Sequence, residues 1–505
     1  MSGARVGHSV SQPRGEALSQ PARCSDSAQS IAAAMSSLRI CVYNYKGGAA
    51  KTTIVVNTGA ALAIHAKKKV LLMDLDPQCN TSQFYHDDSV GTTLGRDDAD
   101  LPPAANAAHI LMAVAEEDVR ILTDDLHPNA QAASMDALVD QNNPMNSSLY
   151  RIMNALFIDV QADVDAVLQS PNLLHKCNPD KCGDNLWLLE GTPLLSQFES
   201  ELHAGFANVR VATSIKRFGV FSFLMKRLTD IYDFDVILVD CSPSNSAINK
   251  AAALSCDYIL PPCQAGLYSA GSVYGLLSTV LPGDNGWLGE HDEIRTRWRS
   301  NDGTPKANVE PSMVDFLLPY TAPLLLPIMV SNYGMEGKPS DDTSPSTSQR
   351  KSVRKMGGDA ATLDRRITFS STQFVYTIMN YVHRVCPYII DSPTDPPPSF
   401  AGPLIEFVSN HSRRVLPFAA NAPISMPVTE QLGRSYVELT LSDFTEYYGL
   451  PVSTKKRKAS SSSTPLDNYG TMGKEFMKEI ETMQARYKSV AAWIVQLHEK
   501  QPQRQ

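Results

Sequence analysis

The sequence predicts an α/β protein: a doubly wound, mostly parallel sheet with helices on both faces, carrying insertions. Three observations lead to this prediction. Short apolar segments rich in β-branched residues recur along the chain, longer stretches of helical character separate them, and the first apolar segment runs into a glycine pair followed by a helix. Strands that alternate with helices in this way are typical of a parallel sheet covered on both sides.

The opening unit is a predicted strand, helix and strand. Residues 38–45 (LRICVYNY) form an apolar run that a glycine pair ends, which is the pattern of a buried strand entering a loop. A helix is expected from about Thr52 to Lys67, and residues 70–76 (VLLMDLD) form the second buried strand. This order is the repeating unit of parallel α/β folds.

Later segments extend the predicted sheet. A helical stretch begins at Leu149, and further strands are expected at residues 186–191, 235–244, 257–264, 324–333 and 413–421. Polar, irregular segments at about 86–147 and 337–365 are predicted to be insertions into one large domain that spans residues 38–450.

The two ends of the chain differ from this domain in composition. Residues 1–37 lack an apolar signal core and are interpreted as a disordered leader or a transit-like segment. Residues 451–466 are expected to form a basic, Ser-rich loop. Within residues 467–505, apolar side chains spaced alternately four and three apart predict an amphipathic helix. In the simplest interpretation this helix packs on the domain; a coiled-coil contact and a membrane-surface helix are the alternatives. The apolar side chains that define its face are Phe476, Ile480, Met483, Tyr487, Val490, Ile494 and Leu497.

Composition narrows the function classes. The chain has 505 residues, of which 43% are hydrophobic and 19% charged, as in ordinary globular proteins. No apolar run reaches the roughly 18 residues of a membrane-spanning helix. The net charge of −8 means that any contact with nucleic acid needs a local basic patch. Nine scattered cysteines favour a reducing compartment, and we expect a cytoplasmic protein.

A phosphate-binding loop is predicted directly after the first strand, in the segment KGGAAKTT (46–53). Small residues let the backbone wrap an anion, and amide groups at a helix N-terminus converge on it. A lysine then neutralises the β and γ phosphates of a nucleotide, and a hydroxyl holds Mg²⁺. Gly47, Gly48, Lys51 and Thr52 supply these parts.

Acidic residues follow two of the predicted strands. Asp74 and Asp76 end the second strand, and Asp240 lies near the end of the strand at 235–244. Because the carboxyl ends of parallel strands meet at one edge, these side chains can reach a Mg²⁺ ion and an attacking water. The alternative is that each aspartate caps the helix that follows it.

Together these segments resemble the ParA/MinD family of ATPases. KGGAAKTT resembles that family's deviant Walker A motif, whose first lysine is its hallmark, VLLMDLDPQCN resembles its switch I strand, and VILVDCSPS resembles its Walker B strand. DLDPQCN and CSPS are closer to ParA/Soj-type partition ATPases than to MinD. The resemblance implies a P-loop NTPase fold, ATP and Mg²⁺ as ligands, and a homodimer that forms with ATP.

The resemblance also implies a set of nucleotide-binding residues. In this set Lys51 contacts the β and γ phosphates, Thr53 contacts the α phosphate, and Lys46 reaches the nucleotide of a dimer partner. Asn332 ends a predicted strand and reads the adenine in this interpretation, although such an Asn is also a common turn residue. The whole set is Lys46, Gly47, Gly48, Ala49, Ala50, Lys51, Thr52, Thr53 and Asn332.

The same resemblance implies the catalytic and metal-binding residues. Lys46, Lys51 and Asp76 form the catalytic set, in which Asp76 orients the attacking water. Thr52 ligates Mg²⁺ directly, and Asp240 holds the ion through its water shell.

One position departs from the family, because Ala50 stands where it has a glycine. A Cβ there costs about 1 kcal/mol or more if φ is positive, so nucleotide binding is expected to survive, whereas the Cβ is expected to affect the catalytic geometry. The leading hypothesis is an ATP-dependent dimerisation switch in DNA partitioning or cargo positioning, with slow hydrolysis that a ParB-like partner stimulates. The alternative is a degenerate scaffold that binds nucleotide without hydrolysing it.

Basic residues late in the chain are the DNA-binding candidates. ParA proteins bind nonspecific DNA through such residues, and the matching positions are Arg413, Arg414 and Arg434. A solvated charged face is the alternative. The run KKRK (455–458) resembles a nuclear localisation signal. With the leader, it leaves a nuclear or organellar location open beside a nucleoid-associated one.

Overall fold

The structure is a computed structural model, and it describes residues 37–86, 144–158, 161, 163–282, 286–333, 335–336, 366–367, 415–420, 428–429, 432–447 and 470–500. The predicted leader, the basic loop at 451–466, the insertion at 337–365 and most of the insertion at 86–147 lie outside these residues. The strands are β1 Leu38–Val42, β2 Val70–Leu75, β3 His175–Lys176, β4 Leu186–Leu189, β5 Val236–Cys241, β6 Tyr258–Leu260, β7 Pro262–Gln264, β8 Leu324–Leu325, β9 Ile328–Tyr333, β10 Met335–Glu336, β11 Arg366–Ile367 and β12 Val415–Ala420.

The helices alternate with these strands. They are α1 Lys51–His65, α2 Asn80–His86, α3 Ser148–Phe157, α4 Val164–Leu168, α5 Pro179–Cys182, α6 Glu199–Ala207, α7 Ser214–Phe218, α8 Val220–Tyr232, α9 Ala247–Leu254, α10 Leu267–Gly275, α11 Trp287–Trp298, α12 Leu441–Tyr447 and α13 Gly470–Lys500.

The main sheet has seven strands in the order β3-β4-β2-β5-β1-β6-β8. Every neighbouring pair is parallel except β3 and β4, which are antiparallel. Apart from β3 and β4, neighbours in the sheet are not neighbours in the chain, so crossover connections must join the parallel strands. The predicted fold class, a doubly wound and mostly parallel sheet, is confirmed.

Alternate side chains of the central strands enter two separate apolar cores, one on each face of the sheet. Leu38, Ile40 and Val42 of β1 lie in the core that α1 and α13 cover, whereas Cys41 lies in the core that α3, α6, α8, α9 and α11 cover. This alternation follows from the two-residue period of a strand. Every residue of β2 and β5 is buried, as expected for central strands with helices on both sides.

Helix α13 covers the phosphate-loop helix. It packs against α1 with its apolar face, and the seven apolar side chains named above are all buried there. Residues 435–439 lie beside both helices, since Tyr436 N donates to Asn57 Oδ1 at 2.7 Å and Gln484 Nε2 donates to Leu439 O at 3.2 Å. Within the described residues, no helix is long and apolar enough to cross a membrane.

Two proline residues divide strands that the sequence predicts as continuous. Residues 257–264 form β6 and β7 on either side of Pro261, and residues 324–333 form β8 and β9 on either side of Pro327. The first member of each pair belongs to the main sheet, and the second belongs to a parallel sheet of order β12-β9-β7. Proline has no amide hydrogen for the ladder, so pairing stops there and resumes in the second sheet.

Candidate nucleotide-binding site

The predicted phosphate loop connects β1 to α1, and its first part is fixed to β7. Asn44 Nδ2 donates to Pro262 O at 2.8 Å, and the same side chain accepts from Lys46 N at 3.1 Å. Helix α1 begins at Lys51, where Ile54 N closes the first turn on Ala50 O at 3.0 Å. The loop therefore ends at a helix N-terminus, where amide groups and the helix dipole favour an anion.

Two loop residues have left-handed backbone conformations. Gly48 has φ 69° and Ala50 has φ 65° with ψ 29°. A residue with a Cβ in this region costs about 1 to 2 kcal/mol, a penalty that glycine avoids. Ala50 thus has the left-handed conformation that favours glycine, the residue that the deviant Walker A motif has at this position. At Gly47, a Cβ would meet no described atom within 4 Å, so the loop has open space there.

Replacing Ala50 with Gly is expected to leave the free energy of unfolding unchanged or raise it by up to about 1 kcal/mol, because the relief of backbone strain exceeds the added entropy of the unfolded chain. Ala63 has helical geometry inside α1, so Ala63→Gly is the control and should lower the stability by about 1 kcal/mol or more. Urea denaturation of both variants measures the difference. If Ala50→Gly lowers the stability as much as Ala63→Gly does, the backbone of Ala50 is not strained.

Lys51 and Thr52 lie at the start of α1 and face the acidic edge of the sheet. Thr52 Oγ1 donates to Asp240 Oδ2 at 2.7 Å, and Lys51 Nζ donates to the Lys46 carbonyl at 3.3 Å. Burial lowers the pKa of Lys51, and the carboxylates of Asp240 and Asp76 oppose that shift. The lysine is 7% exposed and is therefore a desolvated cation that gains from anionic neighbours.

The three aspartates lie together because their strands are in register. Asp74 of β2 is directly opposite Asp240 of β5, and Asp76 follows the end of β2. Burial raises the pKa of Asp74 to about 7 and that of Asp240 to about 6. Asp74 accepts from Ser82 N at 2.8 Å and from Ser82 Oγ at 2.7 Å, so it holds the turn after β2.

Two contacts at this edge were not predicted from the sequence. Thr81 Oγ1, in the first turn of α2, donates to Asp240 Oδ2 at 2.7 Å, and Lys46 Nζ donates to Ser269 Oγ in the first turn of α10 at 3.0 Å. Both hydroxyls follow strands that end at the same edge. The rule that residues after parallel strands meet at one edge, which predicts the position of the aspartates, also applies to these two hydroxyls. Serine and threonine are too common after strands for the rule alone to identify them.

The site residues fit a hydrated magnesium ion. Asp240 Oδ1 is buried and has no hydrogen-bond partner within the described part of the chain. A hydroxyl has two acceptor lone pairs besides its hydrogen, so Thr52 can donate to Asp240 and still present oxygen to a cation. Hard oxygen ligands of this kind, with several retained waters, are what Mg²⁺ prefers.

The remaining predicted residues are placed as follows. Ala49 is buried in the loop, and Thr53 lies in α1, where its carbonyl accepts from Asn57 Nδ2 at 2.7 Å. Asn332 lies in β9, one residue before the end of that strand. Arg434 forms an ion pair with the buried Asp443. Arg413 and Arg414 lie outside the described residues. The roles assigned to all these residues stay predictions.

Comparison with known proteins gives a family match over the described site. The family model described as "AAA domain" matches residues 37–98 and 104–282, which include the loop and all three aspartates. The virulence plasmid ParA family protein pGP5-D of Chlamydia psittaci is 52% identical over 46 residues. That alignment covers 9% of this chain and 17% of the relative, so most of the relative's length is not matched.

Similarity to solved structures is weaker. The apo structure of McdA from Cyanothece is 12% identical, with 88% of this chain and 98% of that chain covered and a TM-score of 0.37. The structure of pNOB8 ParA is 13% identical, with 90% and 99% covered and a TM-score of 0.38. Scores this low add nothing to the assignment, which depends on the family match and on the motifs inside it. The matched residues contain the segments that resemble the deviant Walker A loop, switch I strand and Walker B strand, and in this part the chain is similar to the ParA/MinD family of ATPases.

Proposed function

We propose that this chain is a ParA-like ATPase that acts as an ATP-dependent dimerisation switch in DNA partitioning or cargo positioning. One observation supports this function above others: a desolvated lysine, a threonine hydroxyl and a buried carboxylate lie together at the end of a phosphate loop, and one carboxylate oxygen has no hydrogen-bond partner among the described residues. A buried carboxylate oxygen without a donor is unfavourable by about 1 to 3 kcal/mol or more. Water bound to a metal ion would supply the missing donor.

Each residue has a distinct role in the proposed hydrolysis. Lys51 neutralises charge on the β and γ phosphates, and Thr52 and Asp240 hold the magnesium ion, which when bound withdraws charge from the phosphate oxygens. Asp76 lies one residue beyond β2 and its Oδ1 accepts from Gln78 N at 3.0 Å, which fixes the carboxylate. A carboxylate held in this way can orient a water molecule for attack.

ATP, but not ADP, is expected to drive dimerisation, because the proposed target of Lys46 in the partner subunit's site includes a γ phosphate. Within one chain Lys46 Nζ donates to Ser269 Oγ, so dimerisation would exchange a neutral acceptor for an anionic one, which attracts the ammonium group more strongly. Light scattering during size-exclusion chromatography, with a slowly hydrolysed ATP analogue and with ADP, measures the mass. Lys46→Ala should stay monomeric, whereas the control Lys67→Ala, an exposed lysine beyond α1, should dimerise normally.

A monomer in every nucleotide state would contradict the switch. Turnover distinguishes the alternative function: undetectable hydrolysis in the native chain and also in Ala50→Gly, with nucleotide binding confirmed, would favour the non-hydrolysing scaffold. Partner stimulation is a further part of the proposal, since a ParB-like protein is expected to raise a slow basal rate.

Binding to nonspecific DNA is proposed from the family resemblance, with Arg413 and Arg414 as its first candidates. Arg434 contributes less in this proposal because its guanidinium already pairs with Asp443. We expect affinity that ignores sequence and falls steeply with salt, since the contacts are to phosphates. Titrations at several salt concentrations should show weaker DNA binding for the double variant Arg413→Ala/Arg414→Ala. Arg434→Ala should instead lower the thermal stability. Unchanged DNA binding in the double variant would show that these arginines are misassigned.

A further inference from the structure

One carboxylate oxygen joins the phosphate-loop helix to the loop that carries Asp76. Asp240 Oδ2 accepts hydrogen bonds from Thr52 Oγ1 and from Thr81 Oγ1, both at 2.7 Å. Thr52 is in the first turn of α1 and Thr81 is in the first turn of α2. Thr81 and Asp240 are fully buried, so water does not compete for the bond between them, whereas Thr52 is half-buried.

The loop between β2 and α2 is also held by hydrogen bonds within itself, to β2 and, through Ser82, to Gly191 after β4. Asp76 N donates to Asp74 Oδ1 at 3.2 Å, and Cys79 N donates to Asp76 O at 2.8 Å, with Cys79 in a left-handed conformation at φ 53°. Ser82 donates twice to Asp74 and accepts from Gly191 N at 2.9 Å. These hydrogen bonds hold the loop together, and Thr81 is its hydrogen-bonded connection to Asp240.

We propose that Thr81 is a positioning residue that couples the magnesium side of the phosphate loop to the placement of Asp76. The inference rests on the proposed function, because it assumes that Thr52 and Asp240 face the metal. A movement of Asp240 or of the Thr52 hydroxyl changes the position of Asp240 Oδ2, the acceptor that Thr52 and Thr81 share. Thr81 would follow this movement and shift the loop that holds Asp76. Two hydroxyl donors on one oxygen make this transfer direct, with no intervening side chain.

The variant Thr81→Val keeps the shape of the side chain and removes its donor. Thr58→Val is the matched control, since Thr58 is buried in α1 and its hydroxyl has no hydrogen-bond partner within the described residues. Thr81→Ser restores a hydroxyl and is the rescue variant. Turnover should fall about 10- to 100-fold in Thr81→Val, the range seen when residues behind metal ligands are changed. Affinity for a slowly hydrolysed ATP analogue should stay close to that of the native chain.

Hydrogen exchange gives a readout that does not need hydrolysis. In nucleotide-free protein, amides of residues 76–82 should exchange about 10-fold faster in Thr81→Val, since a buried bond to a charged acceptor is lost. Added Mg²⁺ and the ATP analogue should slow this exchange in the native chain and in Thr58→Val, but not in Thr81→Val. Thr81→Ser should recover most of the protection.

Two results would overturn the proposal: native exchange rates at residues 76–82 in nucleotide-free Thr81→Val, or equal protection by nucleotide in Thr81→Val and the native chain. A loss of nucleotide affinity as large as the loss of turnover would also overturn it, because Thr81 would then belong to the binding site. If the native chain binds nucleotide without hydrolysing it, the proposed function fails on its own, and the exchange experiment still decides the role of Thr81.

Discussion

Replacing Lys51 with Met is expected to weaken nucleotide binding by about 30-fold to several thousandfold, since truncating one partner of a desolvated charge pair costs about 2 to 5 kcal/mol. Stability should respond differently. Burial lowers the pKa of this lysine, so its charge is unfavourable in the nucleotide-free protein apart from the attraction of Asp240 and Asp76. Methionine of similar length removes that penalty, and the free energy of unfolding should therefore change little.

The measurements are calorimetric titration with nucleotide and urea denaturation without it. Lys216→Met is the matched control, because Lys216 is a half-buried lysine of α7 whose pKa is also lowered by burial. It should bind nucleotide normally. Native affinity in Lys51→Met would show that the loop does not bind phosphates through this side chain.

Replacing Asp76 with Ala is expected to reduce turnover by about 10²- to 10⁴-fold, the contribution typical of a positioned group that handles the reacting proton. Nucleotide affinity should change little, because Asp76 acts on water and contributes little to holding the phosphates. Single-turnover kinetics and equilibrium binding separate the two quantities. Asp163→Ala is the control, since Asp163 is exposed and caps α4 away from the loop.

The outcome also separates the two proposed functions. An unchanged rate in Asp76→Ala, with a native rate near zero, is the result expected of a scaffold that binds nucleotide without hydrolysis. A native rate that Asp76→Ala removes is expected only of a working ATPase.

The central strands could be predicted because each is a continuous apolar run. β2 and β5 lie in two of the segments that resemble the family, β1 leads into the third, and the positions of all three strands follow from burial on both faces. The two-residue edge strand β3, His175–Lys176, could not be found this way, because neither residue is buried. A proline within an apolar run indicates an interruption of the strand, as at Pro261 and Pro327. Which sheet each half joins depends on tertiary contacts and cannot be deduced from the local sequence.

The candidate site shows the same division between local and tertiary information. The sequence places Lys51, Thr52 and Asp240 at one sheet edge through the rule for parallel strands, and the structure has Thr52 bonded to Asp240 there. Thr81 and Ser269 also follow strands, but serine and threonine are too common in that position for the sequence to single them out. The pairing of Arg434 with Asp443 depends on a turn between them, so the sequence alone left that arginine available for DNA.

The order of strands in the main sheet has a consequence for synthesis. Among the strands that the structure describes, β1 is synthesised first, yet its neighbours are β5 and β6, which end at Cys241 and Leu260. Pairings so distant in sequence form slowly, and an unpaired apolar strand is exposed to association with other chains in the meantime. The phosphate loop follows β1 directly. A nascent chain that does not yet include β5 and β6 therefore lacks the strands that hold this loop in place. If the chain binds nucleotide as proposed, the ligand would therefore stabilise the finished fold and would not assist the early stages of its formation.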